Sequence, residues 1–307
     1  MSVLVLSRRI QSYSSSRIIE SFRQRKCDVV GVDPLGCSSV VRVDRQEVLF
    51  RGRRLSPDGI VPRLGPGLTE FGLPLLRQFG GVSLNSPEAI LRSREKFTAL
   101  QMMGRCDVPV PATILARCVD DLPLALEILG GAPIIVKSLQ GSQGTGVVLL
   151  RTAAEARRFI SIAWSRKQNV LLQEYIGESR NTDLRLIVVD GRVIAGVRRW
   201  ARSGEFRSNL HCGGRVTEAT LSTGLMSTAV RACRVLGLDV AGVDILESAR
   251  GPVVLEVNAC PGLEGVERCT GIDVAGAIAD LGMKMFYGMR PRSQQDREDT
   301  ALAPDQF

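Results

Sequence analysis

The sequence predicts an α/β fold in the N-terminal third and hairpin-built sheet structure beyond it, on three observations. Residues 3–6, a helical segment through Arg25 and residues 28–33 make a strand, a helix and a strand at the spacing of a parallel α/β unit. Two strands at 133–137 and 147–150 enclose a glycine-rich loop. Two apolar, β-branched runs flank Glu247-Ser-Ala-Arg-Gly251, which reads as a hairpin with a short loop.

That last hairpin carries the most chemistry. If Asp244 pairs with Glu256 across the ladder, alternation puts Val243, Ile245, Val253, Leu255 and Val257 on one face and Asp244, Glu256 and Asn258 on the other. Two carboxylates and an amide oxygen repel one another unless a cation lies between them, and an all-oxygen set suits magnesium or manganese. The alternative is a solvated face on an edge hairpin, but the flanking strands are too apolar for an outer one.

A chain of 307 residues has room for two or three compact domains. Its 44% hydrophobic and 23% charged residues are those of an ordinary soluble protein. The net charge of +8, carried mostly by arginine, points to anionic partners. No aromatic-interleaved basic stretch or finger spacing supports nucleic-acid binding, so acidic small molecules or acidic tails come first. The eight cysteines make no Cys-x-x-Cys pair and read as reduced thiols of a cytoplasmic protein. No apolar run is long enough to span a bilayer, and the first residues are too short for a signal peptide.

In chain order, Ser14 to Ser16 read as the cap of the first helix. Residues 61–64 and 82–84 continue the strand alternation around a helix at 68–79, which closes an α/β domain over 1–90. Ser93 reads as the cap of a further helix with apolar positions at Phe97, Leu100 and Met103. The loop 140–146 can fold its backbone N–H groups over phosphates. It lacks the Gly-Lys-Ser/Thr of a P-loop and does not match the dinucleotide fingerprint. Residues 170–176 form a buried strand, and 182–199 a hairpin with an Asp-Gly turn. Arg198 and Arg199 fall on opposite faces there, so one reaches a site while the other is solvated. Residues 203–214 are polar and irregular, in the manner of an active-site loop. The only histidine, His211, reads as a packing or loop-orienting residue, since no nucleophile partners it. An amphipathic helix over 221–236 closes at Gly237, and a last helix runs to about Met289. There are no internal repeats.

A resemblance adds to this reading. Lys96, Lys137 with Gly141-Ser-Gln-Gly144-Thr-Gly146, Gln173-Glu174-Tyr175-Ile176, Asp183-Leu-Arg185, Phe206-Arg-Ser-Asn-Leu-His211, Gly242-Val-Asp244 and Leu255-Glu-Val-Asn258 with Pro261-Gly262 stand in the order found in ATP-grasp ligases. The chain resembles the RimK group in particular, the α-L-glutamate ligases that modify a ribosomal protein, and it does so from Leu6 through Gly276. The resemblance implies an ATP-grasp fold of α/β and α+β parts. These are a parallel-sheet pre-ATP-grasp domain over 1–90, a central subdomain over 91–178, a C-terminal subdomain over 179–290 and a disordered tail over 291–307. It further implies that Lys137 holds the α- and β-phosphates of ATP with Lys96 assisting, and that Gly141, Ser142, Gly144 and Gly146 cover them. The strand end at Glu174 and Tyr175 meets the adenine, with Gln173 and Ile176 among the nucleotide-binding residues, while Glu178 and Asp183 stand where ribose or phosphate contacts are expected. Arg207, Ser208 and Asn209 line the phosphate side, with Arg207 and Lys137 catalytic. Asp244, Glu256 and Asn258 hold two magnesium or manganese ions. Two departures touch the acceptor more than the chemistry: Cys212 replaces a usual basic residue, and Cys260 stands where a small serine is usual.

The implied reaction is carboxylate–amine ligation through an acyl phosphate, adding L-glutamate to the C-terminus of an acidic protein or peptide, or to a glutamate chain. Glutamylation of a pterin or deazaflavin coenzyme, and a non-catalytic ATP-binding module, are the alternatives. The resemblance also implies a homo-oligomer with no membrane or direct nucleic-acid partner.

Overall fold

The computed structural model describes residues 1–139, 146–179, 181–201 and 215–287, the Pro66 side chain excepted. The chain divides into two compact units, one of Met1–Leu91 with Gly262–Glu264 and the segment from Asp273 on, the other of Arg92–Pro261 with Gly265–Ile272.

The first unit holds, in order, β1 (Ser2–Leu6), α1 (Tyr13–Gln24), β2 (Asp28–Val32), β3 (Cys37–Val41), β4 (Gln46–Phe50), β5 (Arg53–Leu55), β6 (Gly59–Pro62), α2 (Thr69–Phe79) and β7 (Val82–Ser83). The strands β2-β1-β6-β7 form the expected parallel sheet. Val3 to Leu6 are at most 2% exposed, because both faces of a parallel sheet are covered. A second, antiparallel sheet of order β3-β4-β5 was not expected. Its strands are three to five residues long and rich in serine and arginine, so they carry no strong alternation. The helix α1 begins at Tyr13 after Ser12, so Ser14, Ser15 and Ser16 lie inside its first turns and not at its cap. Ser15 instead shares a buried hydrogen bond with Ser7 at 2.9 Å.

The chain then runs through α3 (Pro87–Arg94), which contains Ser93, into the second unit. Ser93 is therefore not a cap: Glu95 precedes the next helix, α4 (Lys96–Arg105). There follow β8 (Thr113–Ala116), α5 (Leu122–Ile128), β9 (Ile134–Ser138), β10 (Val147–Leu150), α6 (Ala153–Ser165) and β11 (Val170–Glu174). They make an antiparallel sheet of order β10-β9-β11-β8, with α5 and α6 burying Leu122, Ala125, Ala156 and Ile160 in a core with Ile134, Val136 and Leu172. Next come β12 (Thr182–Val189), β13 (Arg192–Trp200), β14 (Arg215–Glu218), α7 (Thr223–Leu236), β15 (Val240–Ser248) and β16 (Gly251–Asn258), then α8 (Glu264–Thr270). These strands form a second antiparallel sheet, β14-β13-β12-β15-β16. The helix α7 starts where the Ser222 hydroxyl accepts the Leu225 N–H at 3.2 Å and stops at the left-handed Gly237. It packs across β12, β13, β15 and β16 over an apolar face of Leu184, Leu186, Val243, Ile245 and Val257, each at most 2% exposed.

The last helix, α9 (Val274–Tyr287), belongs by its packing to the first unit, although sequence order counts it with the C-terminal subdomain. Phe286 stacks on Phe22 of α1 with centroids 6.2 Å apart, and Arg17 and Arg25 pair with Asp273 and Asp280, each at 2.7 Å. The expected tail 291–307 lies outside the described residues. No described helix is long and apolar enough to cross a membrane, and the seven described cysteines are free thiols.

Leu172 is fully buried at the centre of the four-stranded sheet. Leu172→Ala should cost about 2–5 kcal/mol of stability in urea unfolding, because the surrounding core closes only partly over the lost atoms. A cost well under 1 kcal/mol would show that this sheet is not the rigid platform its burial indicates.

Candidate functional site

The site is built on one face of the five-stranded sheet. The register pairs Asp244 of β15 with Glu256 of β16 and Gly242 with Asn258, so these polar residues share a face as alternation requires. Gly242 is needed there, because a Cβ would come within 2.9 Å of the Pro261 ring. The apolar side departs from the expectation at one point. The register shifts between Asp244 and Ile245, Ile245 opposes Val254, and Leu255 is left only half-buried. This is a β-bulge, which places one extra residue against a single partner.

On the same face, Arg185 of β12 lies directly opposite Asp244, and Arg199 of β13 directly opposite Asp183. Arg185 donates from Nε to Oδ1 and from Nη2 to Oδ2 of Asp244, both at 2.7 Å. Arg199 donates to the two oxygens of Asp183 at 2.5 and 2.6 Å, and its Nη2 also lies 3.0 Å from Asp244 Oδ2. Arg199, Asp183 and Asp244 are 2%, 6% and 5% exposed. The result is a row of alternating charge across four strands that ends in the adjacent carboxylates of Asp244 and Glu256. Bidentate, charge-assisted pairs of this kind fix carboxylate orientation as well as charge.

The electrostatics follow from this row. Burial alone would raise the Asp244 carboxyl, but the charges of Arg185 and then Arg199 outweigh it and hold it below the usual carboxylate range. Burial and the neighbouring Asp244 charge push Glu256 up, against the opposing pull of Lys137, Arg185 and Lys96. The Glu256 side chain is reachable by solvent, yet protein surrounds it closely enough for desolvation to lead. Lys137, at the end of β9, is pushed down to about 8 by burial and by Lys96, with Glu256 and Asp244 opposing. Burial lowers Lys96 as well, again with Glu256 opposing. The Lys96 ammonium donates to the Ser138 carbonyl at 3.1 Å. Lys96, Lys137, Glu256, Asp244 and Arg185 thus lie near enough to feel one another's charge.

The other candidates fall as follows. Gly146 closes the β9–β10 turn with φ +79°, where its carbonyl accepts the Ser138 N–H at 3.0 Å and a Cβ would press on Ser138. Gln173 is buried and donates to Thr113 at 2.8 Å. Glu174 accepts the Ala112 N–H at 2.8 Å and forms a bidentate pair with Arg250 of the β15–β16 turn. The Tyr175 hydroxyl reaches Asn181, Ile176 is buried, and Glu178 is exposed. Asp183, expected where ribose or phosphate contacts fall, has both oxygens bonded by Arg199. Gly141, Ser142, Gly144, Arg207, Ser208, Asn209, His211 and Cys212 lie outside the described residues. Arg185 and Arg250, given no role from sequence, prove to organise the site, as does Arg199, the one of the Arg198–Arg199 pair that reaches it. Arg185 was signalled by its spacing of two from Asp183, which puts both on one face, but its partner in β15 lies 59 residues away.

Asp244, Glu256 and Asn258 fit a hard divalent cation. All three offer oxygen, the two carboxylates are direct cross-strand neighbours, and no described residue hydrogen-bonds to the Glu256 carboxylate. Among the described residues no trio of His, Cys, Asp and Glu could ligate a metal.

Two antiparallel sheets place a lysine pair near a cross-strand pair of carboxylates, and comparison with known proteins gives this arrangement its class. Residues 93–281 match the RimK-like ATP-grasp domain and residues 1–90 the RimK PreATP-grasp domain. A probable alpha-L-glutamate ligase of Aeromonas salmonicida is 44% identical over 285 residues, covering 92% of this chain and 96% of that protein. The ATP-grasp ligase PsnB, in complex with minimal precursor, Mg and ADP, superposes with a TM-score of 0.71 at 20% identity, over 93% of this chain and 98% of its own. A RimK domain ATP-grasp protein from Sphaerobacter thermophilus gives a TM-score of 0.70 at 21% identity, over 92% and 100%. The fold is that of the ATP-grasp ligases, with mixed α/β and α+β parts, and the protein is an enzyme of that class. Within it, the chain belongs to the RimK-like ATP-grasp family.

Only five of the 40 basic residues are lysine, so Lys137 is accessible to a direct measurement. With the lysines reductively methylated with ¹³C, one resonance should titrate near pH 8. Glu256→Gln should move it lower still, since the Glu256 charge favours the ammonium. A Lys137 that titrates with the solvent-exposed lysines would remove the buried electrostatic site described here.

Proposed function

We propose that this enzyme uses ATP and magnesium to join the amine of L-glutamate to the C-terminal carboxylate of an acidic protein or peptide, a ribosomal protein or a growing glutamate chain being the favoured acceptor. The observation that carries the reading is the cross-strand pair of Asp244 and Glu256 together with Lys96, whose ammonium reaches the carbonyl of the residue after Lys137, so cation-binding and anion-binding groups lie within reach of one another's charge. The similarity to probable alpha-L-glutamate ligases supports the amino acid, and the complex of PsnB with Mg and ADP supports the nucleotide and ion.

The acceptor carboxylate attacks the γ-phosphorus of ATP, the bond to ADP breaks, and an acyl phosphate forms. The neutral amine of glutamate then attacks the acyl carbon, phosphate leaves, and the nitrogen sheds its proton. Lys137, with Lys96 beside it, holds the α- and β-phosphates as a charge clamp that needs no rearrangement during transfer. Gln173, Glu174, Tyr175 and Ile176 form the adenine edge, and Glu178 lies near the ribose. The glycine loop closed by Gly146 shields the acyl phosphate from water. Arg207, Ser208 and Asn209 meet the transferring phosphoryl group, with Arg207 taking up charge that develops there. Asp244, Glu256 and Asn258 would hold two magnesium or manganese ions, which would offset charge on the phosphate oxygens.

The test incubates purified protein with ATP, magnesium, glutamate and a panel of acceptors, and follows phosphate release and product mass together. Acceptor mass should grow by whole glutamate increments in step with phosphate. Phosphate release only with a coenzyme acceptor would move the reading to small-molecule glutamylation, and ATP binding without phosphate release under any acceptor would refute ligation. Glu256→Gln and Arg207→Ala should each lower turnover by about 10²-fold or more. For Arg207→Ala the dissociation constant for ADP should change little, and equal losses in both would count against its transition-state role. In the wild type, affinity for ADP should fall as pH rises through about 8 and Lys137 loses its charge; Lys137→Gln should abolish that fall.

A further inference from the structure

Both oxygens of Asp244 are already occupied by charged donors. Arg185 spans the carboxylate with two hydrogen bonds of 2.7 Å, and Arg199 adds a contact of 3.0 Å to Oδ2. The two arginines differ in what else holds them. The Arg199 side chain is 2% exposed and is gripped by both oxygens of Asp183. Moving it would strand a buried charge on each side. The Arg185 side chain is 19% exposed, and Asp244 is its sole hydrogen-bonding partner among the described residues, so its guanidinium can leave without abandoning a second acid.

We propose that Arg185 is an exchangeable counter-ion of Asp244. It neutralises the carboxylate while the site is empty, a divalent cation replaces it there only in company with an anionic nucleotide, and Arg199 keeps the carboxylate aimed throughout.

The charges explain the order. Asp183 and Arg199 form a buried neutral pair. The remaining described charges at the site are Lys96, Lys137 and Arg185 against Asp244 and Glu256, a balance of one positive charge. A divalent ion entering alone would meet Arg185 on the oxygens it needs and a field of its own sign. Nucleotide phosphates reverse that field and offer Arg185 another anion to contact. Metal and nucleotide therefore bind with positive coupling, and Arg185 sets its size. Arg199 is a positioning residue that acts through Asp244.

The inference rests on the reading of Asp244 as a metal ligand, and the experiment separates the two. Free Mn²⁺ is measured by its paramagnetic resonance signal, with and without ADP, for wild type, Arg185→Gln, Arg185→Lys and Asp244→Asn. Wild type should take up Mn²⁺ tightly only with ADP, and Asp244→Asn should abolish that uptake. Arg185→Gln should bind Mn²⁺ without nucleotide about tenfold more tightly than wild type, with the coupling to ADP reduced by the same factor. A merely structural role would weaken metal binding, not strengthen it. If Arg185→Gln does not fold, Arg185→Lys decides: a single ammonium leaves one carboxylate oxygen open, so nucleotide-free affinity should still rise severalfold. Unchanged or weaker nucleotide-free affinity in the folded variant, with Asp244→Asn still inactive in uptake, overturns the exchange while leaving the metal site intact. Wild-type uptake in Asp244→Asn overturns the site reading and the inference together.

Discussion

A carboxylate at 5% exposure inside a β-sheet survives as an anion only if cations are fixed around it, and the architecture of the second unit meets that requirement for Asp244. Arg185 and Arg199 come from adjacent strands, β12 and β13, and both must sit in register with β15 for their donors to reach the same carboxylate. Asp183 holds Arg199 from behind, so the pair stands without help from solvent. α7 closes the apolar side of the same strands and keeps the charged side from slipping by a residue, since such a slip would drive every charge into the core.

The consequences spread outward from that carboxylate. Burial and the ionised Asp244 beside it push Glu256 up, and no described residue hydrogen-bonds to its carboxylate. Glu256 in turn moderates the loss of charge that burial imposes on Lys137 and Lys96. The site is thus a balanced set of charges in which each member is tuned by the others. A hairpin from one sheet and a strand end from the other supply opposite signs, and an anionic substrate is the natural bridge between them.

Much of this was legible in the sequence because it obeys local rules. Period-two alternation put Asp244, Glu256 and Asn258 on one face, and the Asp-Gly pair at 190–191 marked the β12–β13 turn. What escaped was set by long-range register or by weak local signals. The partners of Arg185 and Arg199 depend on how β12 docks against β15, which no local pattern states. The bulge at Leu255 follows the apolar run Val253-Val254, so alternation could not reveal it. The sheet β3-β4-β5 is too short and polar to register as strands. Ser93 imitates a cap because α3 and α4 are separated by one residue, Glu95, and the two read as a single helix start.

The return of α9 to α1 has a bearing on how the chain is made. The first unit is discontinuous: its parallel sheet is complete by residue 83, but Phe22 finds its stacking partner Phe286, and Arg17 and Arg25 their acids, only at the far end of the chain. On the ribosome the N-terminal unit must wait, with one side of α1 uncovered, while about 170 residues of the second unit emerge and fold. Maturation of the first unit is therefore tied to completion of the second, and a chain truncated before residue 274 would leave an apolar flank open to chaperones and proteases.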